Sequence, residues 1–128
     1  MPKDFDTWNE RKKIVHDRGN VPFFHEREVW WCTLGLNVGY EQDGGDTFER
    51  PVLIIKKFNR DVLWALPLTT SDKRNQYYFP ISGQQDSAVI LSQLRLMSSK
   101  RLERLMYKLP KGQFKQILAQ VQQFFPRV

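Results

Sequence analysis

Arg50-Pro51-Val52-Leu53-Ile54-Ile55 is the stretch on which the reading of this chain turns. A cation and a proline lead into four consecutive apolar residues, three of them β-branched. The run does not alternate between apolar and polar, so it reads as a strand buried on both faces. Such a strand needs neighbours. Upstream, Glu28 to Leu34 is β-branched or aromatic at most positions and reads as a strand. Downstream, Asp61 to Leu68 reads as a third, with Phe58-Asn59-Arg60 as the turn. Gln76 to Ile81 and Ala88 to Leu91 follow as shorter strands around Ser82-Gly83-Gln84, and Gln93 to Leu96 extends the ladder. Gly35 to Glu49 is a polar, glycine-bearing loop, long for a connection inside a compact domain. Loops of that length are often functional.

Helices are expected at both ends. Residues 6–17 carry an amphipathic pattern that Asp6 or Thr7 can cap, broken by Gly19-Asn20 and Pro22. The cationic, aromatic face of this helix is suited either to docking a polyanion or to packing on the rest of the chain. The large apolar area of Trp8 favours packing. Ser98 to Leu105 reads as a short helix. Pro110 suits a first-turn position, and Phe114, Ile117, Leu118, Val121 and Phe125 then form an apolar stripe at helical spacing. The order of helix, five or so strands, then helices predicts a mainly β, α+β architecture. It is a small curled sheet or barrel with a packed terminal helix, in which residues 1–25 form an appendage and 26–128 the main domain.

The composition narrows the function classes. A chain of 128 residues is one domain, or one domain with an appendage. Its single cysteine, Cys32, excludes an internal disulfide framework. Within Val29-Trp30-Trp31-Cys32 it reads as a buried, inert thiol. No apolar run approaches a membrane span and the N-terminus lacks the apolar core of a signal peptide, so a cytoplasmic protein without membrane association is expected. The net charge of +6 is uneven: residues 95–128 hold 8 Lys/Arg against Glu103 alone, while residues 1–94 hold 12 Lys/Arg and 13 Asp/Glu. That asymmetry fits either a polyanion-binding face or a solvated helix face. There is no Gly-rich phosphate loop, no HExxH pair and no Cys/His cluster of zinc spacing. His16 and His25 both precede the first strand, which argues against a paired-histidine acid–base mechanism. An enzyme built on this chain is expected to use neither metal nor other cofactor.

Four segments stand out in series: Val38-Gly39-Tyr40-Glu41-Gln42, then Arg50-Pro51-Val52-Leu53-Ile54-Ile55, then Pro67-Leu68-Thr69-Thr70-Ser71, then Ser87-Ala88-Val89-Ile90-Leu91-Ser92-Gln93-Leu94-Arg95. Each alone is a common pattern. Together, in this order and near this spacing, the series resembles the MazF/PemK toxin family over about residues 26–125. The resemblance implies an SH3-like barrel with a C-terminal helix, usually homodimeric. It implies a type II toxin that cleaves single-stranded RNA at short sequences, leaving a cyclic phosphate and a 5′-hydroxyl, and that a cognate antitoxin restrains.

The resemblance also assigns residues. Arg50 matches the family arginine, and its permanently charged fork suits a phosphate clamp better than a base. Thr69 matches the strand-end threonine and suits a bond to a phosphate oxygen or to the nucleophile. Glu41 is the nearest motif carboxylate, suited either to act as base or to hold Arg50. Tyr40, Gln42, Thr70 and Lys73 are the expected RNA-binding neighbours; Gln93 either reads a base edge or packs in the sheet. The chain departs from the family at three places. Asp43 to Glu49 lengthens the loop and adds Asp43, Asp46 and Glu49 near the expected phosphate site. Tyr40 replaces a residue that is often Ser or His. Ser92 stands where an acid is common. These departures motivate a second reading, a non-catalytic growth inhibitor that binds nucleic acid or protein on the same barrel, as CcdB-like proteins do.

Overall fold

The computed structural model describes residues 3–35, 48–70, 74–81 and 87–127. Helix α1 (Phe5–His16) leads into strands β1 (Glu28–Thr33), β2 (Glu49–Lys57), β3 (Val62–Thr69), β4 (Tyr78–Ile81), β5 (Ser87–Ile90) and β6 (Arg95–Ser98). A 3₁₀ turn (Ser99–Arg101), strand β7 (Leu102–Lys108) and helix α2 (Lys111–Gln122) follow. All pairings are antiparallel, in the order β4-β5-β3-β2-β1-β7, with β6 also on β3.

β2 confirms the two-faced reading. Val52 and Ile54 enter one core with Phe24, Trp30, Leu63 and Met97, while Leu53 enters a second core with Leu66, Val89, Phe114 and Ile117. Ile55 packs against that second core. One strand thus divides the inside of the curled sheet from the layer beneath α2. The curl itself comes from register shifts between Ile54 and Lys56 in β2, and at Val29/Trp30 and Trp31/Cys32 in β1. Such irregularities bend strands and increase twist, as a small SH3-like barrel requires. β3 completes the closure by dividing one edge between two partners: Val62–Ala65 pairs with β6, and Leu68 and Thr69 pair with β5.

The turn at residues 58–60 forms as expected, because the Asn59 side chain accepts from the backbone N–H groups of Asp61 and Val62 at 2.8 and 3.0 Å. In α2, Phe114, Ile117 and Val121 are buried and Leu118 is partly so. Phe125 lies beyond the helix and is exposed, so the stripe ends at Val121. α1 is capped by Asp4, not by Asp6 or Thr7: its carboxylate accepts from the Thr7 backbone N–H at 3.0 Å and from the Thr7 hydroxyl at 2.7 Å. Glu49, assigned to the loop from sequence, begins β2.

The expected helix from Ser98 to Leu105 is absent. Ser98 caps only the 3₁₀ turn, and the chain then runs extended as β7. The cause is tertiary. β1 has an open edge, and β7 fills it through Glu28↔Lys108, Trp31↔Arg104 and Cys32↔Leu102. Pairing two rows of backbone groups outweighs the modest helix propensity of Leu, Arg and Met. Leu105, Met106 and Tyr107 keep substantial exposure, so this strand shows no clean burial alternation.

Candidate active site

Arg50 and Thr69 come together because β2 starts where β3 ends. The ladder between them reaches outward only to Val52↔Pro67. Pro67 in β3 and Pro51 in β2 lack backbone N–H donors, so regular pairing is interrupted at this end. The Leu68 carbonyl accepts instead from the Arg50 guanidinium, Nη1 at 3.3 Å. The arginine is thereby tied to the residue next to Thr69, and both are half-buried.

Both side chains, with Thr70, line a cleft of about 820 Å³. β7 and the start of α2 also line it, contributing Arg104, Tyr107, Lys108 and Gln113, and β5 contributes Ser87. Arg104 stands over the Trp31 ring at 5.1 Å and pairs with Glu49 at 3.2 Å. The loop-end carboxylate that would repel a phosphate is therefore partnered by a cation. Burial pushes the Tyr107 phenol above its usual range, partly offset by its hydrogen bond with the Ser87 side chain. Tyr107 thus stays protonated at neutral pH and supplies an O–H donor to the cleft. The arrangement offers a planar cationic fork, hydroxyl donors and an aromatic surface within one concave site, a combination suited to a phosphodiester and its flanking bases.

Other residues fall elsewhere. Glu41, Tyr40, Gln42 and Lys73, and with them Asp43 and Asp46, lie outside the described residues. Gln93 sits half-buried in the turn after β5, where its backbone N–H bonds the Ile90 carbonyl at 3.3 Å, and it does not line the cleft. Ser92 beside it is exposed. His16 and His25 are exposed and outside the cleft. Cys32 is paired across the ladder with Arg50 yet fully buried; burial first, and the nearby Glu103 second, push its thiol well above the usual range. It is inert as a nucleophile. Among the described residues no group of three His, Cys, Asp or Glu side chains is placed to hold a metal, and no helix is long and apolar enough to cross a membrane.

Sequence reasoning missed Ser87, Arg104, Tyr107 and Lys108. Three of them belong to the segment misassigned as, or just beyond, a helix. The available signal was the excess of Lys and Arg after residue 95, which β7 partly delivers to the cleft wall.

Residues 25–125 match the family described as PemK-like, MazF-like toxin of type II toxin-antitoxin system. No curated protein matches the chain. Among solved structures, a MazF from Deinococcus radiodurans is 20% identical with a TM-score of 0.67, covering 81% of this chain and 96% of that one. An endoribonuclease from a mycobacterial species is 14% identical with a TM-score of 0.59, covering 81% and 90%. A mycobacterial endoribonuclease in complex with its cognate antitoxin is 15% identical with a TM-score of 0.57, covering 81% and 100%. At these identities the likeness is one of fold.

Proposed function

Because the chain belongs to the family of PemK-like, MazF-like toxins of type II toxin–antitoxin systems, we propose that it is a metal-independent endoribonuclease that cleaves single-stranded RNA at preferred sequences. The observation that carries this reading is the meeting of Arg50 and Thr69 in one cleft that Arg104, Tyr107 and Lys108 also line.

The chemistry is internal transesterification. The ribose 2′-oxygen attacks the adjacent phosphorus, the bond from phosphorus to the 5′-oxygen breaks, and a 2′,3′-cyclic phosphate and a 5′-hydroxyl result. Arg50 is the clamp for the developing phosphorane charge, since a guanidinium offers two parallel donors and never gives up its proton at neutral pH. Thr69 adds a donor to the same phosphate. Glu41 takes the 2′-hydroxyl proton in this reading, and Tyr107 is a protonated neighbour for the leaving oxygen. Tyr40, Gln42, Thr70, Lys73 and Gln93 are the proposed RNA contacts around this centre. Residues 26–128 form the toxin domain and 1–25 the appendage. The partners are a cognate antitoxin that covers the cleft and a second copy of the chain, in the cytoplasm.

Incubating purified protein with single-stranded RNA in EDTA tests the reading. Fragments bearing 5′-hydroxyl and cyclic phosphate ends are expected, and the Arg50→Ala variant should produce them about a hundredfold or more slowly. Growth arrest with cellular RNA intact would instead favour the non-catalytic inhibitor.

A further inference from the structure

α1 lies outside the matched residues 25–125, yet it is firmly bonded to the barrel. Arg18, just beyond its C-terminus, forks onto both carboxylate oxygens of Glu103 in β7 at 2.8 and 3.1 Å and also bonds the Lys100 carbonyl at 3.0 Å. Thr33 of β1 donates to the same carboxylate, and Lys100 Nζ donates to the His16 carbonyl at 2.8 Å. These bonds fix the helix against the seam between β1 and β7.

The clamp places Trp8, only 7% exposed, at both ends of the connection from β1 to β2. Gly35 follows β1 with φ +72°, and a Cβ built on it would fall 2.1 Å from the Trp8 ring. Phe48 precedes β2, and its ring centroid lies 5.5 Å from that of Trp8. Gly35 N–H donates to the Phe48 carbonyl at 2.9 Å, joining the two stems. Phe48 itself has φ +61°, a conformation that bulky side chains adopt only when neighbours hold them there. It stands two residues before Arg50.

We propose that Trp8 is a positioning residue for Arg50: the appended helix holds Phe48 in its left-handed conformation and so fixes the start of β2 from which the guanidinium reaches the Leu68 carbonyl and the cleft. This rests on the reading of Arg50 as the phosphate clamp. Trp8 touches no substrate in this account; it acts through Phe48. Val15 provides the internal control, being equally buried on the same helix but absent from the stems of the connection.

The experiment compares full-length Trp8→Ala, Trp8→Phe and Val15→Ala, all assayed well below their melting temperatures. Trp8→Ala is expected to lower kcat for RNA cleavage by about tenfold or more with KM little changed, because small misplacements of a clamp act mainly on the reacting geometry. Val15→Ala should leave kcat unchanged, and Trp8→Phe should recover most of it. A second arm needs no RNA. In Trp8→Ala the amide of Gly35 should lose hydrogen-exchange protection, whereas in Val15→Ala it should keep it. Equal kcat in Trp8→Ala and Val15→Ala, or equal protection of Gly35 in the two, overturns the proposal. If the unaltered protein cuts no RNA, the endoribonuclease reading fails on its own, and the exchange arm still decides whether Trp8 holds the stems.

Discussion

Arg50 in β2 donates its Nη1 proton to the main-chain carbonyl of Leu68 in β3, at 3.3 Å, where the regular ladder between those strands has already ended. The bond replaces a backbone pairing that Pro51 and Pro67 make unavailable, and it ties the guanidinium to a fixed strand end.

Arg50→Lys should therefore fail almost as fully as Arg50→Ala. A lysine offers a point charge with no planar fork, so it cannot bond Leu68 and a phosphate with the same geometry. Loss of an electrostatic clamp of this kind costs on the order of 10²–10³ in kcat. Single-turnover cleavage of a short RNA measures it; a Lys variant within twofold of the parent protein contradicts the role.

Arg104 and Lys108 on the cleft wall should contribute to RNA affinity through counterion release. Removing either charge should weaken binding of a non-cleavable RNA and lower the slope of log K against log[salt] by about 0.7, the contribution of one phosphate contact to a single strand. Arg104→Ala carries an added consequence, because it leaves Glu49 without its partner at 3.2 Å. Its loss in affinity should exceed that of Lys108→Ala. Salt titrations by fluorescence anisotropy test both statements.

Gly35→Ala should destabilise the fold by about 2 kcal/mol or more, since its φ of +72° and the Trp8 ring both oppose a Cβ. In a Trp8→Ala background the steric part disappears and the cost of Gly35→Ala should shrink. Urea unfolding of the four proteins gives the coupling energy; simple additivity would show that the ring does not oppose the Cβ.

Glu103 should make stability fall in acid. Burial raises its carboxyl, but the hydrogen bonds from Arg18 and Thr33 and the charges of Arg18 and Arg11 more than reverse this, so its pKa lies below the reference 4.5. With a depressed folded value, the unfolded chain binds more protons in that window. The stabilisation is complete above the unfolded value and is lost as pH falls through the folded one. Glu103→Gln should lower stability at neutral pH by about 1–3 kcal/mol and flatten the decline below pH 4.5. Thermal unfolding between pH 3 and 7, on the order of one transition per half unit, resolves the difference.

Much of the β framework could be read along the chain because its signals are local. Asn59 makes its turn with its own neighbours, and Val52 to Ile55 form an apolar run that only a strand between two cores accommodates. The series of motifs holding Arg50 and Thr69 is likewise a matter of order and spacing. Asp4, two residues before the amphipathic pattern, was missed as the cap because Asp6 and Thr7 offered the same chemistry nearer its start.

By itself, then, the sequence determined the two-faced strand β2, the helical stripe of α2 and the two residues placed at adjoining strand ends. The tertiary structure alone decided that residues 102–108 are a strand, since the edge they complete belongs to β1, some 70 residues earlier, and leaves no local period in β7. That one long-range pairing brings Arg104, Tyr107 and Lys108 to the cleft that Arg50 lines, and Glu103 to the clamp that holds α1. Backbone pairing with a distant edge is independent of side-chain pattern, which is why half of the cleft was invisible until the sheet closed.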